Sequence, residues 1–220
     1  MKIALLTQRE ETDKYGAPID IMESAYIRFF SDLGFLTIPI SNYSNNIKEL
    51  MDLSEVQLLV LTGGGSLSDK FYNEDYKYPE QARREQIERE LLERAFKKEI
   101  SVLAICRGMQ YINGYFGGRI SRLNHLKIKR INGEEHLVKN IKSGEIFGVN
   151  NYHNDGIYLE DLAQLAEPLC IDEDNNVVEA FNILDRKILA IQWHPERHFE
   201  TEESREITLC LIKEFLEKTY

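Results

Sequence analysis

The stretch SVLAICRGMQ (residues 101–110) decides the fold. Ser101 to Ile105 is too short and too apolar for an exposed strand, so it reads as a central one. Cys106-Arg107-Gly108 then breaks the run, and Met109, Ile112 and Tyr115 recur at helical spacing up to the Gly117-Gly118 stop. A sharp strand-to-helix turn of this kind puts the Cys106 side chain at the carboxyl edge of a sheet. Gly108 allows the close backbone approach such a turn requires. The amino end of the helix behind the sulfur favours a reactive thiolate. The bland alternative is a buried structural cysteine.

Outward from there, the same alternation repeats. Lys2–Leu6, Leu36–Ile40, Gln57–Leu61 and Lys187–Ile191 read as further buried strands. Asp20–Leu33 reads as a helix whose apolar face holds Met22, Tyr26, Phe29, Phe30 and Leu33, with Asp20 and Glu23 spaced as a capping box. Pro79–Lys98 reads as the clearest helix, with Ile87, Leu91, Leu92, Ala95 and Phe96 inward. Glu85–Arg89, Glu90–Arg94 and Glu93–Lys97 are i,i+4 pairs on its wet side. Glu202–Lys218 closes the chain as a helix with two acidic residues in its first turn. Between Arg119 and Gln192 short strand candidates crowd together at Leu126–Ile131, Ile146–Val149 and Val177–Phe181. The expectation is an α/β fold: an open, mostly parallel sheet covered by helices on both faces, with a β-rich excursion in the C-terminal half. No linker, repeat or low-complexity tract divides residues 1–220, so one domain is expected.

Composition narrows the function. The chain has 220 residues, 43% apolar and 10% aromatic, enough for a substantial core. Its 27 Lys and Arg against 37 Asp and Glu give a net charge of −10, which repels phosphate backbones and argues against nucleic acid as partner. The opening MKIALLTQRE is too briefly apolar for a signal peptide, and no run is long enough to span a bilayer. Cys106, Cys170 and Cys210 are too few for a disulfide framework, and the latter two sit beside apolar residues as core. A reducing, cytoplasmic, soluble protein is expected, without contact to membranes.

Two further strand ends carry chemistry. QWHPE (192–196) follows a buried strand; in extended chain His194 and Glu196 point the same way, supplying a base and the group that orients it. A histidine at a strand end can equally be structural. In an open α/β sheet, strand ends converge on one crevice, so Cys106 and His194 can meet. TGGG (62–65) lacks both the Lys-Ser/Thr of a P-loop and the G-x-G-x-x-G of a dinucleotide fold; it reads as an oxyanion hole or a plain tight turn. His125, His136, His153 and His198 show no metal-ligand spacing. The amide-rich VNNYHN (149–154) reads as a small-substrate contact or a satisfied surface loop.

Together TGGG, ICRGMQ (105–110), VNNYHN, VEAF (178–181) and IQWHPE (191–196) resemble class I glutamine amidotransferases, closest to the γ-glutamyl-γ-aminobutyrate hydrolase-like group, peptidase family C26. The resemblance covers almost the whole chain in order and spacing. It implies an α/β hydrolase that cleaves a carbon–nitrogen bond in a γ-glutamyl amide through a γ-glutamyl thioester, without cofactor or metal. It implies Cys106, His194 and Glu196 as the catalytic triad, and the backbone N–H of Gly64 or Gly65 and of Arg107 as oxyanion donors. Gln110 is similar to the family glutamine that holds the γ-glutamyl group, with Asn151, Tyr152 and His153 as its partners. Three departures stand out: Ala104 where the turn usually has Gly, Asn151 where the loop usually has Ser, and Arg84-Glu85-Gln86-Ile87-Glu88 where R-D-x-x-E is usual. LLTQRE (5–10) and the NYHN loop are also similar to bacterial stand-alone hydrolases near sugar-polymer biosynthesis, the γ-glutamyl-CDP-amidate hydrolase group. That likeness makes a γ-glutamyl-CDP-amidate or a γ-glutamyl amine the expected substrate. The alternatives are a glutaminase subunit supplying ammonia to a synthetase and a non-enzymatic binding protein on the same scaffold. A homodimer is compatible with either.

Overall fold

Five apolar runs lie in parallel at the centre of the molecule in a computed structural model, which describes residues 2–53, 55–74, 81–123, 126 and 132–219. β1 (Lys2–Thr7) leads into the hairpin β2 (Arg9–Thr12) and β3 (Pro18–Ile21). Then follow α1 (Ser24–Asp32), β4 (Phe35–Ile40), α2 (Ile47–Leu53), β5 (Val56–Leu61), α3 (Ala82–Lys97), β6 (Ser101–Ile105) and α4 (Arg107–Tyr115). The C-terminal half contributes β7 (Ser121–Arg122), β8 (Glu135–Asn140), β9 (Ile146–Asn150), β10 (Asp155–Tyr158) and β11 (Glu167–Asp172). It ends with β12 (Val177–Ile183), β13 (Ile188–Ile191) and α5 (Glu202–Thr219).

The main sheet runs β4-β1-β5-β6-β13-β12-β11-β8-β9, with β10 pairing β12 and β7. Its first five strands are parallel, and β12, β11, β8 and β9 continue it antiparallel. The β-rich excursion is therefore the antiparallel half of the same α/β sheet. Strand alternation sorts the core into two layers. Leu5, Leu59, Leu61, Val102 and Ala104 face α2, α3 and α4. Ala4, Leu6, Leu58, Val60, Leu103 and Ile105 face α1 and α5. Because both faces are covered, β5 and β6 read as unbroken apolar runs. Each fully buried Leu or Val there contributes about 1.5–3 kcal/mol of transfer free energy.

Several sequence expectations need correction. Asp20 lies in β3, not in a helix: its carboxylate accepts from Ser41 Oγ (2.6 Å), Asn42 N (3.1 Å) and Asn42 Nδ2 (2.6 Å). The N-cap of α1 is Glu23, without a side-chain cap bond, so no capping box forms. Lys187 has φ +52° at the end of a 3₁₀ turn, and β13 starts one residue later. Cys210 is exposed, not core. On α3, Arg94 turns to Asp52 of α2 (2.5 Å) and Arg89 pairs with Glu93 (3.2 Å). Glu85 is buried and accepts from Ser68 N and Oγ, both at 2.6 Å, so it does not belong to the wet side. Apart from Leu126, the expected strand Leu126–Ile131 lies outside the described residues, as do His125 and the expected helix start at Pro79.

Candidate active site

Cys106 is the single residue between β6 and α4, and it sits at φ 53°, ψ −109°. A non-glycine residue in that region is strained, so the surrounding packing must hold it there. Two contacts do so. The Cys106 N–H donates to Ile191 O of β13 (2.8 Å), and α4 starts so close to β5 that a Cβ on Gly108 would lie 2.2 Å from Leu61 O. Ala104 is accommodated in β6 at zero exposure.

His194 is placed by the end of β13 and clamped from β9. Its N–H donates to Asn150 Oδ1 (2.9 Å), and Asn150 Nδ2 donates to His194 O (2.9 Å) and His198 O (3.2 Å). His194 Nδ1 lies 2.6 Å from Glu196 Oε1, with both side chains buried. The two meet across a turn, in which Arg197 N–H donates to His194 O (3.2 Å), rather than along extended chain. The Cys106 sulfur acts on the same ring electrostatically. Burial opposes charge on the imidazole, but the Cys106 sulfur and then Glu196 outweigh it, and its pKa is pushed up to about 10.

The glycine loop lies against this pair. A Cβ on Gly63 would meet His194 Cε1 at 2.8 Å, Tyr26 Oη at 3.0 Å and Cys106 Cβ at 3.3 Å. Gly64 and Gly65 have φ of 81° and 77°, which L side chains rarely adopt. Behind the loop Arg84 donates to Thr62 O (2.6 Å) and Gly64 O (2.7 Å), with Gly63 O at 3.4 Å. In a trans peptide the next N–H points opposite to the carbonyl. The Gly63 N–H accordingly points forward, to Tyr26 Oη (2.9 Å), and by the same rule the Gly64 and Gly65 amides turn away from Arg84, which holds the carbonyls of Gly63 and Gly64.

Arg84 is fixed in turn by Glu88 (Nε to Oε1, 2.8 Å), and Glu88 also receives Arg107 Nη1 (2.6 Å). All three side chains are essentially inaccessible. Burial would raise the Glu88 pKa, but Arg107 and Arg84 hold it below the ordinary carboxylate range. Thr7 Oγ1 donates to the same carboxylate (3.1 Å) and accepts from Thr62 N (3.1 Å), joining β1 to the loop. The altered R-E-x-x-E run thus supplies the backing of the glycine loop.

The expected substrate contacts divide. Gln110 Nε2 and His153 Nδ1 both donate to Asp155 O at 2.9 Å, and Gln110 also reaches Gln192 Oε1 (3.2 Å). Asn151 is buried in the same loop. Tyr152 stands at the rim, 37% exposed, edge-on to the His194 ring at 5.8 Å and under the Arg197 guanidinium at 4.3 Å. The Arg107 N–H is the first of helix α4, where backbone donors have no partner within the helix. Sequence reasoning missed two contributors: Tyr26 was indistinguishable from a core aromatic, and Asn150 was hidden by its three amide and imidazole neighbours.

Among the described residues no three of His, Cys, Asp and Glu converge as a metal site, and no helix is long and apolar enough to cross a membrane. Residues 3–196 match the family model described as Peptidase C26. The glutamine amidotransferase-like protein YvdE of Lactococcus lactis is 29% identical over 88% of this chain and 88% of its own length. The γ-glutamyl-CDP-amidate hydrolase of Campylobacter jejuni is 33% identical over 64% of this chain and 63% of its own. Among solved structures, a candidate GMP synthase component from Thermoplasma acidophilum superposes with a TM-score of 0.67 at 19% identity, covering 99% of this chain and 94% of that one.

Proposed function

The chain belongs to the peptidase C26 family, and from that premise we propose that it hydrolyses a γ-glutamyl amide through a thioester on Cys106. The observation that carries the reading is the buried His194–Glu196 pair, 2.6 Å apart, held against a cysteine in a strained turn. The Cys106 proton already rests on His194, and the thiolate attacks the δ-carbonyl carbon. The carbonyl oxygen becomes an oxyanion facing the amides of Gly64 or Gly65 and of Arg107. The tetrahedral adduct collapses as the carbon–nitrogen bond breaks, and His194 gives its proton to the leaving nitrogen. Water, deprotonated by His194, then attacks the thioester, releasing glutamate and restoring the Cys106 thiolate beside protonated His194. Glu196 orients the ring and stabilises its charged form.

In this scheme Gln110, Asn151, Tyr152 and His153 grip the α-amino and α-carboxylate groups of the γ-glutamyl moiety. The leaving group is an amine or a nucleotide-linked amidate. The Campylobacter jejuni relative, named for the second, supports that choice over 64% of the chain. The test is glutamate release by wild type and Cys106→Ser across γ-glutamyl-CDP-amidate, γ-glutamyl alkylamines and glutamine. Wild type is expected to cleave a conjugate faster than glutamine, without a partner protein, while folded C106S is inactive. Near wild-type turnover by C106S would overturn the nucleophile. Glutamine hydrolysis appearing only with a separate synthetase present would favour the ammonia-supplying alternative.

A further inference from the structure

Tyr26 belongs, by its sequence, to the apolar face of α1, and its ring does pack there with Phe30, Leu6 and Val60. Its hydroxyl, however, leaves the core. With the side chain 2% exposed, Oη lies 2.9 Å from Gly63 N and 3.4 Å from His194 Nδ1. A phenol has one proton and two lone pairs. The Gly63 N–H can only donate, so the Tyr26 oxygen accepts there and its proton is left for the other side. On that side His194 Nδ1 lies 3.4 Å away and itself meets Glu196 Oε1 at 2.6 Å, so the phenol sits against the His194–Glu196 pair. Burial first, and then the Glu196 and Cys106 charges, keep the phenol well above its ordinary pKa, so it remains a neutral donor. The charged groups facing it are Glu196, Cys106 and His194 in front and Arg84 behind the glycine loop.

We propose that Tyr26 is a positioning residue that ties the glycine loop to the His194–Glu196 pair, so that the oxyanion donors and the base keep a fixed mutual geometry. This rests on the cysteine-hydrolase reading of the site. The phenol touches neither sulfur nor substrate; it acts through the Gly63 peptide, which begins the glycine loop, and through the His194 ring against which it rests.

The variant is Tyr26→Phe, which keeps the ring and removes only the bridge. Two readouts are measured on folded protein: steady-state hydrolysis, and the pH profile of Cys106 alkylation by iodoacetamide, which needs no substrate. Y26F is expected to lose about 10–100-fold in kcat with KM changed less than about threefold, the cost of leaving the buried Gly63 N–H at the head of the oxyanion loop without its acceptor. The acid limb of its alkylation profile is expected to move to higher pH, because the imidazole paired with Cys106 loses the neighbour that fixes it. A residue that only packs would move neither. Wild-type kcat together with a superimposable profile would overturn the role of Tyr26 while leaving the hydrolase reading intact. A wild-type Cys106 that neither hydrolyses γ-glutamyl conjugates nor alkylates faster than the exposed Cys210 would overturn both.

Discussion

At the scale of residues, His194 is governed by two anions in a buried setting. Its native pKa is pushed up to about 10 against an ordinary value near 6.5, burial being outweighed by Cys106 and Glu196. The native state therefore holds a proton that the unfolded chain releases near neutrality. The stabilisation is fully present below about pH 6.5 and is lost as pH rises toward 10. The urea midpoint is expected to fall across that window, and Cys106→Ala, lacking one anion, should flatten the fall and lower the His194 pKa seen by NMR. Identical profiles for the two proteins would contradict the coupling. Kinetics separate the pair further. His194→Ala should lose nearly all turnover, whereas Glu196→Gln, which keeps the size of the orienting group, should lose about 10–10³-fold. An H194A enzyme with intact rates would remove the base.

At the scale of elements, α3 acts on the site through charges that lie beneath the glycine loop. Glu88 is the shared counter-charge of the buried Arg84 and Arg107, so Glu88→Gln leaves two guanidinium groups facing each other without water. A loss of about 3–5 kcal/mol is expected from the urea midpoint; a change under about 1 kcal/mol would show that these charges are not mutually dependent. The same helix shows what a sequence can reveal. Its apolar stripe was legible because Ile87, Leu91, Leu92 and Ala95 repeat at helical spacing. Arg84 and Glu88 stood out only as an altered R-D-x-x-E run, and Glu85 was not legible, because charge reads as solvent-facing until its partner Ser68 is known. β6, Cys106 and α4 were legible for the opposite reason: a run buried on both faces leaves no other reading. The β2–β3 hairpin, REET and PIDI, was illegible because its half-exposed residues show no apolar alternation. Asp20 mimicked a capping box since Asp and Glu three apart fit one, yet its true partners, Ser41 and Asn42, lie beyond the helix.

At the scale of the molecule, the parallel order β5-β6-β13 brings three strand ends side by side, and each delivers one part of the site: the glycine loop, Cys106, and His194 with Glu196. The antiparallel half supplies the clamp, Asn150 at the end of β9, together with the loop that carries Tyr152 and His153. Because these parts lie within one chain, hydrolysis of a γ-glutamyl conjugate is expected from the purified protein alone. The direct measurement is mass spectrometry of the peptide bearing Cys106, acid-quenched during turnover. The account predicts a γ-glutamyl adduct on Cys106 that forms and decays with product release and accumulates when deacylation is slowed. Turnover with no adduct on Cys106 at any time, together with an active C106S enzyme, would contradict it.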